Sequence, residues 1–233
     1  MTERTLTRLG RTFDGIAYGI LGTLFILCHP RLGVTPLGAL GNLHVAPVFG
    51  VVVATFVLPV PRNASEAWRT TSDRLRLAAL VAMGLLPFVS WWLRAGENLY
   101  LMICGSAGVF AAIWYLLELL NLLISVFRSC GCTRLVLEGR IARILALYVV
   151  LIPVLAVYVA FVAGTLIFPG VLLSDLYDTW LLIPLSLRCL MTLPVLQICW
   201  LLWRGHRAIL EQIPENSALR ANRSPAANDG KEP

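Results

Sequence analysis

The sequence predicts an all-α membrane protein: a bundle of six transmembrane helices with both termini on the cytoplasmic side. Three observations lead there. Hydrophobic residues make up 58% of the 233 and charged residues 14%, with a mean hydropathy of +0.78, more apolar than a water-covered domain can bury. Six apolar segments alternate with polar connections. The basic residues fall almost entirely on every second connection, sixteen on one side against Arg31 and Arg94 on the other, so the excess marks the cytoplasmic face.

The first segment, Phe13–Cys28, follows a polar N-terminal stretch (1–12) carrying Arg4, Arg8 and Arg11. It falls just short of the roughly 17 residues that a span needs, yet removing it would put three arginines outside. No small-x-small cleavage site follows it, so it is expected to stay as an anchor and not to leave as a signal peptide. Gly15 and Gly19 stand four apart and Gly22 three further on, a spacing that flattens one helix face for close approach of another.

Between this segment and the second, Leu43–Val60, lies an apolar connection punctuated by Pro30, Gly33, Pro36, Gly38 and Gly41. Such backbone cannot satisfy itself as one lipid-facing helix and is read as an external loop that dips back against the bundle. His29 and His44 flank it as interfacial or capping residues, since no third ligand stands at metal-site spacing.

Leu75–Leu93 and Leu99–Phe127 form the third and fourth segments. In the fourth, Glu118 is the one acid deep inside a span. At ~100° per residue it shares a face with Cys104, Ala107, Ala111 and Ser125, with Asn121 beside it. Ala107 and Ala111 join the three glycines as candidate helix-packing positions. A carboxylate in hydrocarbon costs ~2.5–3.5 kcal/mol on insertion scales, so Glu118 is expected to face protein or water. Near the start of this helix Gly105-Ser106-Ala107-Gly108 departs from the Gly-x-Ser-Gly of rhomboid proteases, and the sixth helix is read as lacking the histidine that would activate such a serine.

The fifth segment, Ile141–Phe168, follows a cytoplasmic loop containing Cys130-Gly131-Cys132, whose thiols are expected to stay reduced. In the sixth, Thr179–Trp203, Arg188 lies between Pro184 and Pro194 and shares a face with Thr192. Its acceptors are sought in Glu118, in the carbonyls of Trp180 and Leu190 that the prolines leave without a donor, or in water. Arg188, Glu118, Asn121 and Thr192 together are thus a candidate buried ion pair or ligand site. The tail, 204–233, lacks apolar periodicity from about Pro214 and is expected to be disordered there.

Eighteen of the nineteen basic side chains are Arg, which with the topology suggests a bacterial inner membrane. No catalytic, metal or cofactor constellation is visible, and the dispersed basic residues argue against nucleic acid as a partner. Two functions remain open. One is a non-enzymatic scaffold or subunit of a membrane complex, touching anionic lipid headgroups and either another membrane protein or a second copy. The other is a small transporter or lipid-handling protein with Arg188 and Glu118 along an internal polar path.

Overall fold

The computed structural model describes residues 3–28, 45–61, 64–92, 99–156, 158–159 and 185–223, and side chains over most of that range. The described residues form six helices with no strand among them. They are α1 (Glu3–Cys28), α2 (Val45–Val57), α3 (Glu66–Trp92), α4 (Leu99–Ser129), α5 (Thr133–Leu145, continuing through a π-helical turn at Ala146–Leu151) and α6 (Leu185–Arg223). Each packs on its neighbour in sequence, and α6 returns to α1, closing a ring of antiparallel neighbours. The residues facing one another fix the direction: Gly10 meets His206 while Cys199 donates to the Ala17 carbonyl, and Gly15, Gly19 and Gly22 meet Ala54, Val51 and Pro47.

Local chemistry sets the helix ends at the basic side of the ring. Ser65 caps α3, its hydroxyl accepting from the Trp68 N–H at 3.3 Å. α4 ends at Ser129, just before Gly131, whose φ of 74° lies in the left-handed region that favours glycine. There the Gly131 N–H reaches the Arg128 carbonyl and the Cys132 N–H the Phe127 carbonyl, at 3.2 and 2.9 Å. This paired closure satisfies the last carbonyls and turns the chain into α5 within three residues. The π turn precedes Pro153, which has no N–H to give the carbonyl four residues back and whose ring crowds it. Ile152 instead donates five residues back, to Leu147.

One apolar core runs through the basic half, from Leu9, Phe13 and Ile16 on α1 to Leu119, Leu123 and Phe127 on α4 and Ile198 and Leu201 on α6. Outside it, every helix exposes large apolar side chains, among them Tyr18, Phe56, Leu80, Trp114, Tyr148 and Trp200.

Within the described residues one helix, Tyr100–Ser129, is long and apolar enough by itself to cross a membrane. α2 has 13 residues, about 20 Å at 1.5 Å each, short of a hydrocarbon core of ~30 Å. The connection 29–44, with His29 and His44, the end of the fifth segment beyond residue 159 and the start of the sixth up to Pro184 lie outside the described residues. α6 departs from the expected tail: it remains helical past Trp203 and Pro214 to Arg223. Ala218, Leu219, Arg220 and Ala221 are strong helix formers, so the segment can stay helical without apolar periodicity. The longer helix also places His206 on α6, where the sequence reading had the sixth helix without a histidine.

Candidate functional site

Among the described residues a polar cluster lies where α1, α4, α5 and α6 meet, built on Arg204, His206 and Arg207 of α6 around Gly205. Arg204 donates through Nη1 to both carboxylate oxygens of Glu138 on α5, at 2.7 and 2.6 Å, and Arg134 approaches the same carboxylate at 3.3 Å. Gly205 lies against Phe127 of α4, so near that a Cβ there would sit 2.6 Å from the ring. His206 reaches Asp14 of α1 through Nδ1 at 2.8 Å, and its ring rests on Gly10, where a Cβ would sit 2.5 Å from Cδ2 and 2.9 Å from Nε2. Arg207 turns the other way, its Cζ 3.8 Å from the centre of the Trp203 ring.

Each contact has a local cause. Gly10 and Asp14 are one turn apart on α1, so the first makes room for the imidazole that the second holds. Glu138 and Arg204 are about three-quarters and two-thirds buried, so their pairing is less screened than a surface ion pair and fixes the rotation of α5 against α6. The His–Asp geometry resembles half of a catalytic triad, but the side of the ring bearing Nε2 is pressed on the α1 backbone, and among the described residues His206 makes no other hydrogen bond. A base needs that nitrogen open toward a nucleophile. No group of three or more potential metal ligands occurs among the described residues.

The positions singled out in the sequence divide. Glu118 is buried, 9% exposed, and among the described residues its hydrogen-bond partner is the Asn121 amide at 3.4 Å, while Ser125 donates to the Asn121 carbonyl. Arg188 lies in the backbone of α6, but its side chain is outside those described, and with it any pairing to Glu118. Thr192 is half-buried on the same helix. Gly15, Gly19 and Gly22 face α2, with Gly19 closest: a Cβ would come within 2.4 Å of Val51 Cγ2 and 3.0 Å of the Pro47 carbonyl. Ala111 is buried, whereas Ala107 is exposed and its neighbour Gly108 instead lies against Leu85 and Val89 of α3. A second polar tie unforeseen in the sequence joins α2 to α4, the Thr55 and Tyr115 hydroxyls meeting at 2.9 Å.

At the α4–α5 turn, burial pushes the Cys130 thiol up to about 11, with Cys132 adding to the effect. Burial, then Glu211, also raises Cys132. Both thiols are thereby held protonated and poor as nucleophiles or ligands at neutral pH.

Comparison of the chain with protein-family models, with curated proteins and with solved structures returns no match.

Proposed function

We propose that the chain is a six-span membrane protein with both termini cytoplasmic, acting as a non-enzymatic scaffold or subunit of a membrane complex. One observation carries the proposal, the division of labour among side chains. Large apolar residues are exposed on all six helices, far beyond the scattered patches a water-soluble monomer tolerates. Three polar pairs tie helices to one another, Thr55 with Tyr115, Arg204 with Glu138 and His206 with Asp14, while Trp68 Nε1, Ser72 Oγ and Ser106 Oγ are buried without a hydrogen-bond partner among the described residues. Polar ties between helices in lipid add roughly 0.6–2 kcal/mol each, and their role here is to hold register. The arginines of the same end then lie where anionic headgroups of the cytoplasmic leaflet would meet them.

A small transporter or lipid-handling protein is the second reading, favoured by Glu118, a buried carboxylate with one long hydrogen bond among the described residues. Reconstitution separates the two. For a scaffold, vesicles containing the chain hold an imposed proton gradient as long as protein-free vesicles. The chain released gently from its native membrane also migrates in native electrophoresis well above its own 25.7 kDa plus micelle. Gradient collapse that Glu118→Gln abolishes would make the transporter the better account.

A further inference from the structure

Along α6 the side chains of Leu193, Leu196, Trp200, Trp203 and Arg207 follow at three- and four-residue intervals, and all are exposed, so they form one continuous stripe. The Trp200 and Trp203 rings lie 5.0 Å apart between centroids, inclined at 38°, and the Arg207 guanidinium is held over the second of them. Arg204, on the neighbouring face, is occupied by Glu138. Arg207 is not: among the described residues it makes no ion pair or hydrogen bond, Glu211 one turn further on included. A guanidinium offers five N–H donors in a planar fork suited to a phosphate, and stacking on the indole limits the entropy lost when one binds.

The dimensions fit one membrane leaflet. Ten residues separate Leu193 from Trp203, about 15 Å of helix and half of a ~30 Å hydrocarbon core. Side chains on a helix lean toward its N-terminus, and Arg207 does so, its charge sitting level with Trp203. With Leu193 near the midplane, the guanidinium stands where acyl chains give way to phosphates, and the two tryptophans occupy the interface that such rings favour. Leu190, Leu193 and Leu196, all exposed, supply the surface for acyl chains above.

We propose that this stripe is a binding site for one anionic phospholipid of the cytoplasmic leaflet, its phosphate on Arg207 and its chains along Trp203, Trp200, Leu196 and Leu193. The site rests on the membrane reading given above. The commitment to a lipid follows from the stripe itself: leucines and then tryptophans over one leaflet's depth, ending in a cation that stacks on Trp203 and has no ion-pair partner among the described residues.

The test uses the full chain, delipidated in mild detergent and titrated with phosphatidylglycerol or phosphatidylcholine under native mass spectrometry, beside flotation with vesicles of the same lipids. The wild type should float and should bind its first phosphatidylglycerol about fivefold more tightly than phosphatidylcholine, the discrimination that one interfacial cation provides. Arg207→Gln, which keeps the side-chain stem over Trp203, should lose that preference. Arg207→Lys should retain part of it, and Arg69→Gln on α3 should retain it all. Circular dichroism establishes that each variant is folded, and Trp203→Leu should weaken binding of both lipids if Arg207→Gln proves unstable. Equal binding of the two lipids by the wild type, or an undiminished preference in Arg207→Gln, overturns the site while the membrane reading stands. Failure of the wild type to float overturns both.

Discussion

Replacing a glycine by alanine should have opposite consequences at Gly19 and Gly50, which lie on facing helices within one turn of the same contact. At Gly50 nothing lies within 4 Å of the added carbon, so the change removes a helix-weakening residue and should stabilise by about 0.5–1 kcal/mol. At Gly19 the same carbon would meet Val51 Cγ2 at 2.4 Å, the Pro47 carbonyl oxygen at 3.0 Å and the Val51 nitrogen at 3.2 Å. Val51 is β-branched and stiff, and the other two atoms are backbone. Relief therefore requires α1 and α2 to separate along a seam that Gly15 and Gly22 also line. Overpacking of this kind costs about 1–3 kcal/mol, which exceeds the propensity gain and leaves a net loss of about 1–2 kcal/mol. The two variants should thus differ by about 1.5–3 kcal/mol, about 10–150-fold in the unfolding equilibrium constant. Reversible denaturation in mixed micelles, with helicity as the signal, measures both. Equal stability of Gly19→Ala and Gly50→Ala would refute close α1–α2 packing at Gly19.

Two further outcomes follow from the basic end. A double-mutant cycle with Arg204→Leu and Glu138→Gln should give a coupling of about 1 kcal/mol, since the carboxylate is mostly shielded from water; additive losses would remove this pair as a tie between α5 and α6. Cys130 should react with an alkylating reagent about a hundredfold more slowly than in the unfolded chain at pH 8, because the folded state holds its proton. Its rate should go on climbing toward pH 11, and a plateau near pH 9 would contradict the burial of that thiol.

How much of this was readable beforehand depends on the range of each interaction. The all-helical fold was, because apolar runs and glycine or proline punctuation are local signals. The spacing of Gly15, Gly19 and Gly22 marks a bare stretch of α1, but spacing alone could not name α2 as the helix lying on it. Arg204 and Glu138 lie 66 positions apart and His206 and Asp14 192 apart. Arginines counted by side of the membrane record only the side, so these pairings stayed hidden. Gly10, four residues before an acid, and Gly205, beside a histidine, were the available hints: each puts a bare backbone next to a group that needs a partner. On the Glu118 face, Ala111 and Glu118 are buried and Ala107 is exposed, while Gly108 beside it lies against Leu85 and Val89 of α3; the ~100° count gives a face but not the helix that covers it. The π turn was out of reach, since Pro153 signals a disturbed helix without saying whether it bends or widens.

The most direct measurement of the central claim is the sidedness of the connections. Single cysteines at Ser65, Asn216 and Ser174, each in a variant with the six native cysteines replaced, are exposed to a membrane-impermeant maleimide in intact cells and again after permeabilisation. Six spans with both termini cytoplasmic predict labelling of position 174 in intact cells and of positions 65 and 216 only after permeabilisation. Labelling of position 65 from outside, or of 65 and 216 under opposite conditions, would contradict the six-span bundle.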